Sequence, residues 1–503
     1  MISLLVSIPM LFAFMLVLVD ILAKSQRIKT KLVPAIYLLG SFLPWLVLWT
    51  SCKNMPVDEV VGNWTRMGGI EIALDNYNFY FILGALVLFS MVSIYSFGHF
   101  REGKAYSVIL LMEAGVLGAF ISRDLFNYYI YMEIASVCAF ILTALSEEKG
   151  AKKAAFRYLV FSLTASYLFI FALGIIYLKT GYLNLNLIKG SANSKEINVA
   201  IGIAFSALIL KAGIFPLHFW LPDAHSKAST PASALLSGVV VKVPIYGMLL
   251  LFYAFPIGEM MRKALFTVSF LSIFSGLLGA LLQINAKRLL AYSTVSQLGY
   301  VLLGLSTGSI YGAIYYSFAH MLFKGGLFLG VGSLTDAQST KDLRELSYRG
   351  NRSIMIAVLL LSLALSGVSP FITAYSKKLI MGDITGSGLF LLYAATIGTM
   401  LYAIKLNYLL SEPGRNGSAK APSSLILALL TLLLGIYMNP SMNPADWGLL
   451  VLASGIFILL RKFKVLEEIP RFEQVREFGR ELNIYMVTFF LFVLAMMLIQ
   501  RLQ

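Results

Sequence analysis

Residues 204–242 read AFSALILKAGIFPLHFWLPDAHSKASTPASALLSGVVVK. An apolar run carries Lys211 at membrane depth and breaks at Gly213 and Pro216. It passes through a link bearing His218, Asp223 and His225, then enters a second apolar run that brings in Lys242. On insertion scales a lysine at the centre of a membrane helix costs about 3 kcal/mol, so two in one hairpin require a reason. A lysine near a helix end can snorkel to the interface. Lys242 has long apolar runs on both sides, and that escape is closed to it. Both lysines are read as functional, as an intramembrane ionisable residue is by default.

The rest of the chain agrees with a membrane setting. Of its 503 residues 58% are hydrophobic and 13% charged, which places it among polytopic helical membrane proteins. Each crossing takes about 20 apolar residues, so the length predicts an all-α fold of 14–16 transmembrane helices with no separate soluble domain. Crossings are expected near 2–23, 32–50, 76–98, 106–122, 126–146, 157–178, 198–215, 229–254 and 264–282. Further ones are expected near 289–307, 310–332, 353–380, 386–410, 424–438, 446–461 and 484–500. Residues 1–20 have neither a basic leader nor a small-residue cleavage site and read as a retained first helix. The segment 51–75 is expected to be a long external loop, and 179–197 a short surface element. The charged and apolar mix of 462–483 fits an amphipathic link lying along the interface, or a solvated linker.

The net charge of +15 would suit nucleic acid, but its distribution does not. With the N-terminus outside, 25 of the 40 Lys and Arg fall in cytoplasmic loops and 9 outside or at the end. That asymmetry is the positive-inside rule, and it implies a membrane orientation rather than a nucleic-acid partner. The two cysteines, Cys52 and Cys138, form no CxxC, and four histidines offer no metal-ligand spacing. His218 and His225 flank a Pro-broken link with no facing histidine pair, so haem ligation is discounted. No cofactor or metal is expected in this chain.

A second break, Gly367-Val368-Ser369-Pro370, mirrors Gly213-Ile214-Phe215-Pro216 and again lies near an intramembrane lysine, Lys377. Glycine loosens the packing and proline removes a backbone hydrogen bond, so both helices should be discontinuous. Paired broken helices in corresponding halves are a pointer to an ion site. Glu133, in NYYIYMEIASVCAFILTAL, would hold its proton if alone in hydrocarbon; beside Lys211 it can be charged, the two titrating as one unit. His320 and Lys324 are four apart and share a helix face. Lys377 and Lys378 point about 100° apart, and Lys377 is favoured for the path. Lys405 and Glu113 are explained equally well by snorkelling toward a cytoplasmic end. Gln283, Ser293, Thr294, Ser296 and Gln297 add polar atoms able to hold water. Nothing groups a nucleophile, a base and an orienting residue, so the row suits exchangeable protons and not catalysis.

LPDAHSKASTPASALLSG (221–238), with PLHFW before it, SRDLFNYYIYMEI (122–134), KRLLAYSTVSQLGY (287–300), HMLFKGGLF (320–328) and YSK (375–377) occur in order. Together they resemble the antiporter-like subunits of complex I and the large subunits of Mrp-type cation/proton antiporters. The version looks most like that of archaeal membrane-bound hydrogenases and their sulfur-reducing relatives. The resemblance implies two inverted five-helix repeats, each with a broken helix: N-terminal helices in 1–105, a first half-channel in 106–254, a second in 255–410, and C-terminal helices in 411–503. It implies a Glu133–Lys211 pair, Lys242 as a bridging lysine, His320 and Lys324 on the axis, and Lys377 at the exit. His218, Asp223, His225, Pro216, Pro370 and Lys405 play supporting parts. Ser229 stands where proline is common, and Asn285-Ala286 where an acidic residue is common before Lys287.

The expected function is proton or sodium translocation in a multi-subunit respiratory-type complex of the cell membrane. Partners would be other antiporter-like or small Mrp-type membrane subunits, lipid, and peripheral redox subunits holding iron–sulfur clusters and nickel–iron. The alternatives are a subunit of a stand-alone Na⁺/H⁺ antiporter, or a single-chain secondary transporter of a small solute. The last needs a roomy polar midplane pocket, for which the sequence offers few groups.

Overall fold

In hydrocarbon every backbone N–H and C=O must find its partner within the chain, so apolar runs become helices. The computed structural model describes residues 1–22, 26–97, 103–189, 194–382, 384–463 and 478–501. The amphipathic reading of 462–483 falls mainly on residues outside that set.

The chain opens with α1 (Leu4–Leu22), α2 (Gln26–Phe42) and α3 (Pro44–Cys52), α2 ending where Pro44 begins the next helix. The expected external loop contains an antiparallel hairpin, β1 (Val57–Val60) paired with β2 (Glu71–Leu74). Strands form because Val57-Asp58-Glu59-Val60 and Glu71-Ile72-Ala73-Leu74 place β-branched and apolar residues side by side. Next come α4 (Phe79–Ser96), α5 (Gly103–Ile121), α6 (Leu125–Ala144), α7 (Ala151–Thr180), α8 (Leu185–Ile188) and α9 (Lys195–Ala212). After the break lie α10 (Leu221–Lys227), α11 (Thr230–Leu235), a π-helical turn at Leu236–Val240, and α12 (Lys242–Ala254). The remainder is α13 (Glu259–Leu282), α14 (Ala286–Thr307), α15 (Ile310–Gln338), α16 (Arg352–Ser366), α17 (Ile372–Met381), α18 (Gly386–Ser411), α19 (Pro422–Met438), α20 (Pro444–Lys462) and α21 (Phe478–Arg501).

Twelve helices among the described residues are long and apolar enough to cross a membrane, while α16 and α19 are shorter apolar helices. α9 and α15, the bearers of Lys211 and Lys324, are buried helices outside those twelve. The run read as one crossing at 353–380 is split into α16 and α17.

The chain divides into two compact units: Met1–Ala212, Lys227–Ala264 and Phe490–Gln503 in one, Gly213–Ser226 and Leu265–Phe489 in the other. In the first, Gly202 of α9 lets the backbone of α21 approach, since a Cβ there would meet the Met496 carbonyl oxygen at 2.8 Å. The α8 segment, within the expected surface element, is anchored. Leu185 and Ile188 are fully buried, and the amides of Asn184 and Asn186 donate to the Glu71 carboxylate at 2.8 Å each. Arg123, from the SRDLF motif, bonds both Asp75 and the Tyr246 hydroxyl and so ties the hairpin's end to α12. Asn78 donates to the carbonyls of Ala73 and Phe120 at 2.7 and 2.9 Å. In the second unit, Asn285 caps α14 by accepting from the Arg288 N–H at 3.1 Å. Asparagine thus does the capping there without a charge.

Candidate functional site

The two breaks share one backbone design. Gly213 and Gly367 hold φ of +68° and +76°, a region that a Cβ disfavours, and each is followed three residues later by a cis proline, Pro216 and Pro370. Each break leaves one helix end beside a buried lysine.

In the first unit α6, α7 and α9 bring Glu133, Ser136, Ser162, Ser166 and Lys211 together. The Lys211 ammonium donates to Glu133 Oε1 at 2.7 Å, Ser162 Oγ at 3.1 Å and Ser136 Oγ at 3.2 Å. All three of its protons are therefore directed. Ser166 Oγ donates to the same glutamate oxygen. The lysine side chain is 3% exposed and the glutamate 20%, so the pair is asymmetric, with the carboxylate nearer the edge. The serines escaped the sequence reading. Their signal was there: Ser136 is one turn from Glu133, and Ser162 and Ser166 are four apart.

Lys242, fully buried, donates to the Ser237 carbonyl at 2.7 Å. The π-helical turn makes this acceptor available, because Val241 N–H reaches back five residues to Leu236. Such turns recur at functional sites. Tyr128 of α6 donates to the Val243 carbonyl at 2.9 Å and fits against Gly247, where a Cβ would meet its hydroxyl at 2.3 Å.

In the second unit α15 is buried from Gly312 nearly to its end. Lys324 donates to the Leu290 carbonyl at 3.1 Å and to Ser293 Oγ, both on α14. His320, one turn away, is fully buried with its ring 5.1 Å from Phe323. Gln297 joins the hydroxyls of Tyr402 and Tyr316. Lys377 is 4% exposed and Lys378 lies on the exposed face. The Lys377 ammonium donates to the Ser366 carbonyl at 3.2 Å and sits 4.7 Å from the Tyr300 ring centroid. A Cβ on Gly367 would meet Lys377 Cδ at 2.8 Å, so that glycine both turns the chain and makes room for the lysine.

The supporting residues are mostly structural. Lys405 does not snorkel: it is 6% exposed and donates to the carbonyls of Leu281 and Gln283 at 2.6 and 2.9 Å. It caps the C-terminal end of α13, where carbonyls lack helical partners and the dipole favours a cation. Glu113 does not snorkel either, being fully buried. Asp223 pairs with Arg288 at 3.5 Å, and Lys341 donates to the Ser226 carbonyl at 2.9 Å, fixing the link after the first break. His218 lies tilted against Phe215 and edge-on to Tyr292, and His225 lies edge-on to Trp220 and Phe328.

Residues 122–402 match the transmembrane family described as NADH:quinone oxidoreductase/Mrp antiporter. The chain is 28% identical over 433 residues to an NADH-quinone oxidoreductase subunit of Desulforudis audaxviator, covering 77% of this chain and 85% of that one. It is 29% identical over 352 residues to a Na⁺/H⁺ antiporter subunit of Bacillus subtilis, covering 67% and 71%. Its fold is similar to a chain of an archaeal membrane-bound sulfane sulfur reductase, with a TM-score of 0.80 at 24% identity over 92% of this chain and 99% of that one. A chain of the Mrp complex of Dietzia gives the same TM-score at 20% identity, over 92% and 98%.

Proposed function

This chain belongs to the NADH:quinone oxidoreductase/Mrp antiporter family, and from that premise we propose that it is the proton- or sodium-translocating subunit of a multi-subunit respiratory-type complex. The carrying observation is the Lys211–Glu133 bridge with its hydroxyl shell. An ammonium whose every proton is directed at an oxygen has defined routes for losing one. At 4 Å and an effective dielectric constant near 20, an ion pair is worth about 4 kcal/mol. Separating Glu133 from Lys211 removes that attraction from both groups.

A charge change in a partner subunit pulls the pair apart, and Lys211 passes its proton on within its unit, where Lys242 is the next base. In the second unit His320, Lys324 and Lys377 repeat the operation, with Lys377 as the exit group. Residues 106–254 and 255–410 act as the two half-channels of an inverted repeat. The partners are further membrane subunits and peripheral redox subunits, which hold the iron–sulfur and nickel–iron groups. The complex sits in the cell membrane with the N-terminus of this chain outside.

The test is ion uptake by vesicles containing the purified complex, driven by the partner's electron transfer. Lys211→Ala and Glu133→Ala are each expected to abolish uptake while electron transfer persists. Full uptake in both variants would falsify the scheme.

A second reading is supported by the 29% identity to a Na⁺/H⁺ antiporter subunit, against 28% to the NADH-quinone oxidoreductase subunit: half of an antiporter driven by a proton gradient alone. Gentle purification from the native membrane separates the two. Co-purifying redox subunits support the first, and small membrane subunits alone support the second.

A further inference from the structure

A second buried carboxylate, outside the Glu133–Lys211 row, has a different surrounding. Glu113 lies midway along α5, and Tyr37, Ser41, Ser93 and Ser96 of α2 and α4 are fully buried with it. Both Glu113 carboxylate oxygens and all four hydroxyls make no hydrogen bond among the described residues. They belong together. Ser41 faces Glu113, and Tyr37 faces Ser93, Ser96 and the Glu113 charge. Tyr37 and Ser41 are four apart, Ser93 and Ser96 three apart, so each pair occupies one helix face. The rings of Tyr37 and Tyr106 are 4.6 Å apart, and a Cβ on Gly40 would meet Leu110 Cδ1 at 2.8 Å, which presses α2 onto α5 at this level.

The site is separate from the row. Gly115 and Gly118 of α5 take α6 against them, touching Ala135, Ile134 and Tyr131. Glu113 is two residues before Gly115, hence about 200° round the helix, on the opposite face. Of the other charged side chains described on elements packed against α5, Lys31 of α2 is exposed and the rest are engaged elsewhere. Asp20 of α1 lies against Gly103 at the far end, Glu133 holds Lys211, Lys242 donates to Ser237, and Glu71 accepts from Asn184 and Asn186. Tyr106 donates its hydroxyl to the Ser96 carbonyl at 2.8 Å.

An uncompensated carboxylate at this depth is costly, and so is each orphaned hydroxyl. An all-oxygen donor set with one negative charge fits a hard cation of charge one. A divalent ion would leave an excess charge buried, and no nitrogen or sulfur ligand is offered. We propose that Glu113, Tyr37, Ser41, Ser93 and Ser96 form a sodium site in which Na⁺ and H⁺ compete for the Glu113 carboxylate. Binding of Na⁺ releases the carboxyl proton, and the four hydroxyls supply neutral oxygen ligands. The proposal stands whether or not the Glu133–Lys211 pair carries the translocated proton.

The experiment is infrared difference spectroscopy on the intact purified complex below neutral pH. NaCl is exchanged for choline chloride at constant ionic strength, with released protons read by a pH dye. In the wild type, Na⁺ is expected to remove a protonated-carboxyl band and to release protons. Glu113→Gln should lose both signals, and Glu133→Gln should retain them. Tyr37→Phe and Ser93→Ala should keep the band but raise the half-saturating NaCl about tenfold each, through a lost ligand. A wild type silent to Na⁺, or signals surviving Glu113→Gln, would overturn the proposal. If Glu113→Gln fails to assemble, the hydroxyl variants decide: an unchanged half-saturation in both overturns it.

Discussion

Glu133 and Glu113 stand on neighbouring helices of one unit, both within the membrane. Glu133 lies against the ammonium of Lys211 and the hydroxyl of Ser166. Glu113 is more deeply buried, and around it are the hydroxyls of Tyr37, Ser41, Ser93 and Ser96. Compensation by a fixed lysine makes a carboxylate part of a two-group device, in which moving one member alters the other. A carboxylate among neutral oxygens has no such partner, and its compensation must come and go as an ion. The same residue type thus serves two purposes, decided by what the next helix presents.

That contrast can be broken most forcefully at Lys211. Lys211→Ala leaves Glu133 without its cation, and removing one partner of a buried pair costs about 3–5 kcal/mol. A clear fall in the thermal midpoint of the purified complex is expected, along with loss of ion uptake. Adding Glu133→Gln should recover most of the midpoint and none of the uptake. If the double variant is no more stable than the single one, the pair is not coupled as described.

At Glu113 the same test should come out differently. Glu113→Gln keeps the shape and removes a carboxyl that has no fixed countercharge, so the stability in sodium-free buffer should fall by less than about 1 kcal/mol, or rise. A loss as large as that of Lys211→Ala would mean that a fixed cation faces Glu113. Lys377 and Lys378 supply a related contrast one residue apart. Lys377→Ala should cut uptake at least about tenfold, as a lost proton-transfer group does, and Lys378→Ala should leave it near wild type. Equal effects would remove Lys377 from the exit. A smaller loss of uptake than that of Lys377→Ala is expected for Ser162→Ala, which removes one of three acceptors from Lys211. A single hydrogen bond to a charged group is worth about 1.5–3 kcal/mol at most, and a several-fold slower uptake with the pair intact is the outcome to look for.

Much of this is legible in the residues alone. The Gly-x-x-Pro breaks, Lys211, Lys242 and Lys377 announce themselves because charge and helix-breaking residues are costly in hydrocarbon. Ser136, Ser162 and Ser166 do not, since a serine in an apolar helix can satisfy itself on the preceding turn, as Ser136 does here. The hairpin at 57–74 was hidden for another reason: its strands are four residues each, too short for a period to register.

The sequence by itself determined the helical membrane class, the two breaks and the row Glu133, Lys211, Lys242, Lys324 and Lys377, because each follows from the local cost of placing a residue type in lipid. Beyond the Glu133–Lys211 pair, already expected from the sequence, only the tertiary structure decided which charge meets which group. It gave Lys211 two serines, set Lys405 on the end of α13, and turned Glu113 away from α6 toward α2 and α4. Such pairings join residues far apart in the chain, and their energies depend on distances of a few ångströms that no spacing along one helix encodes.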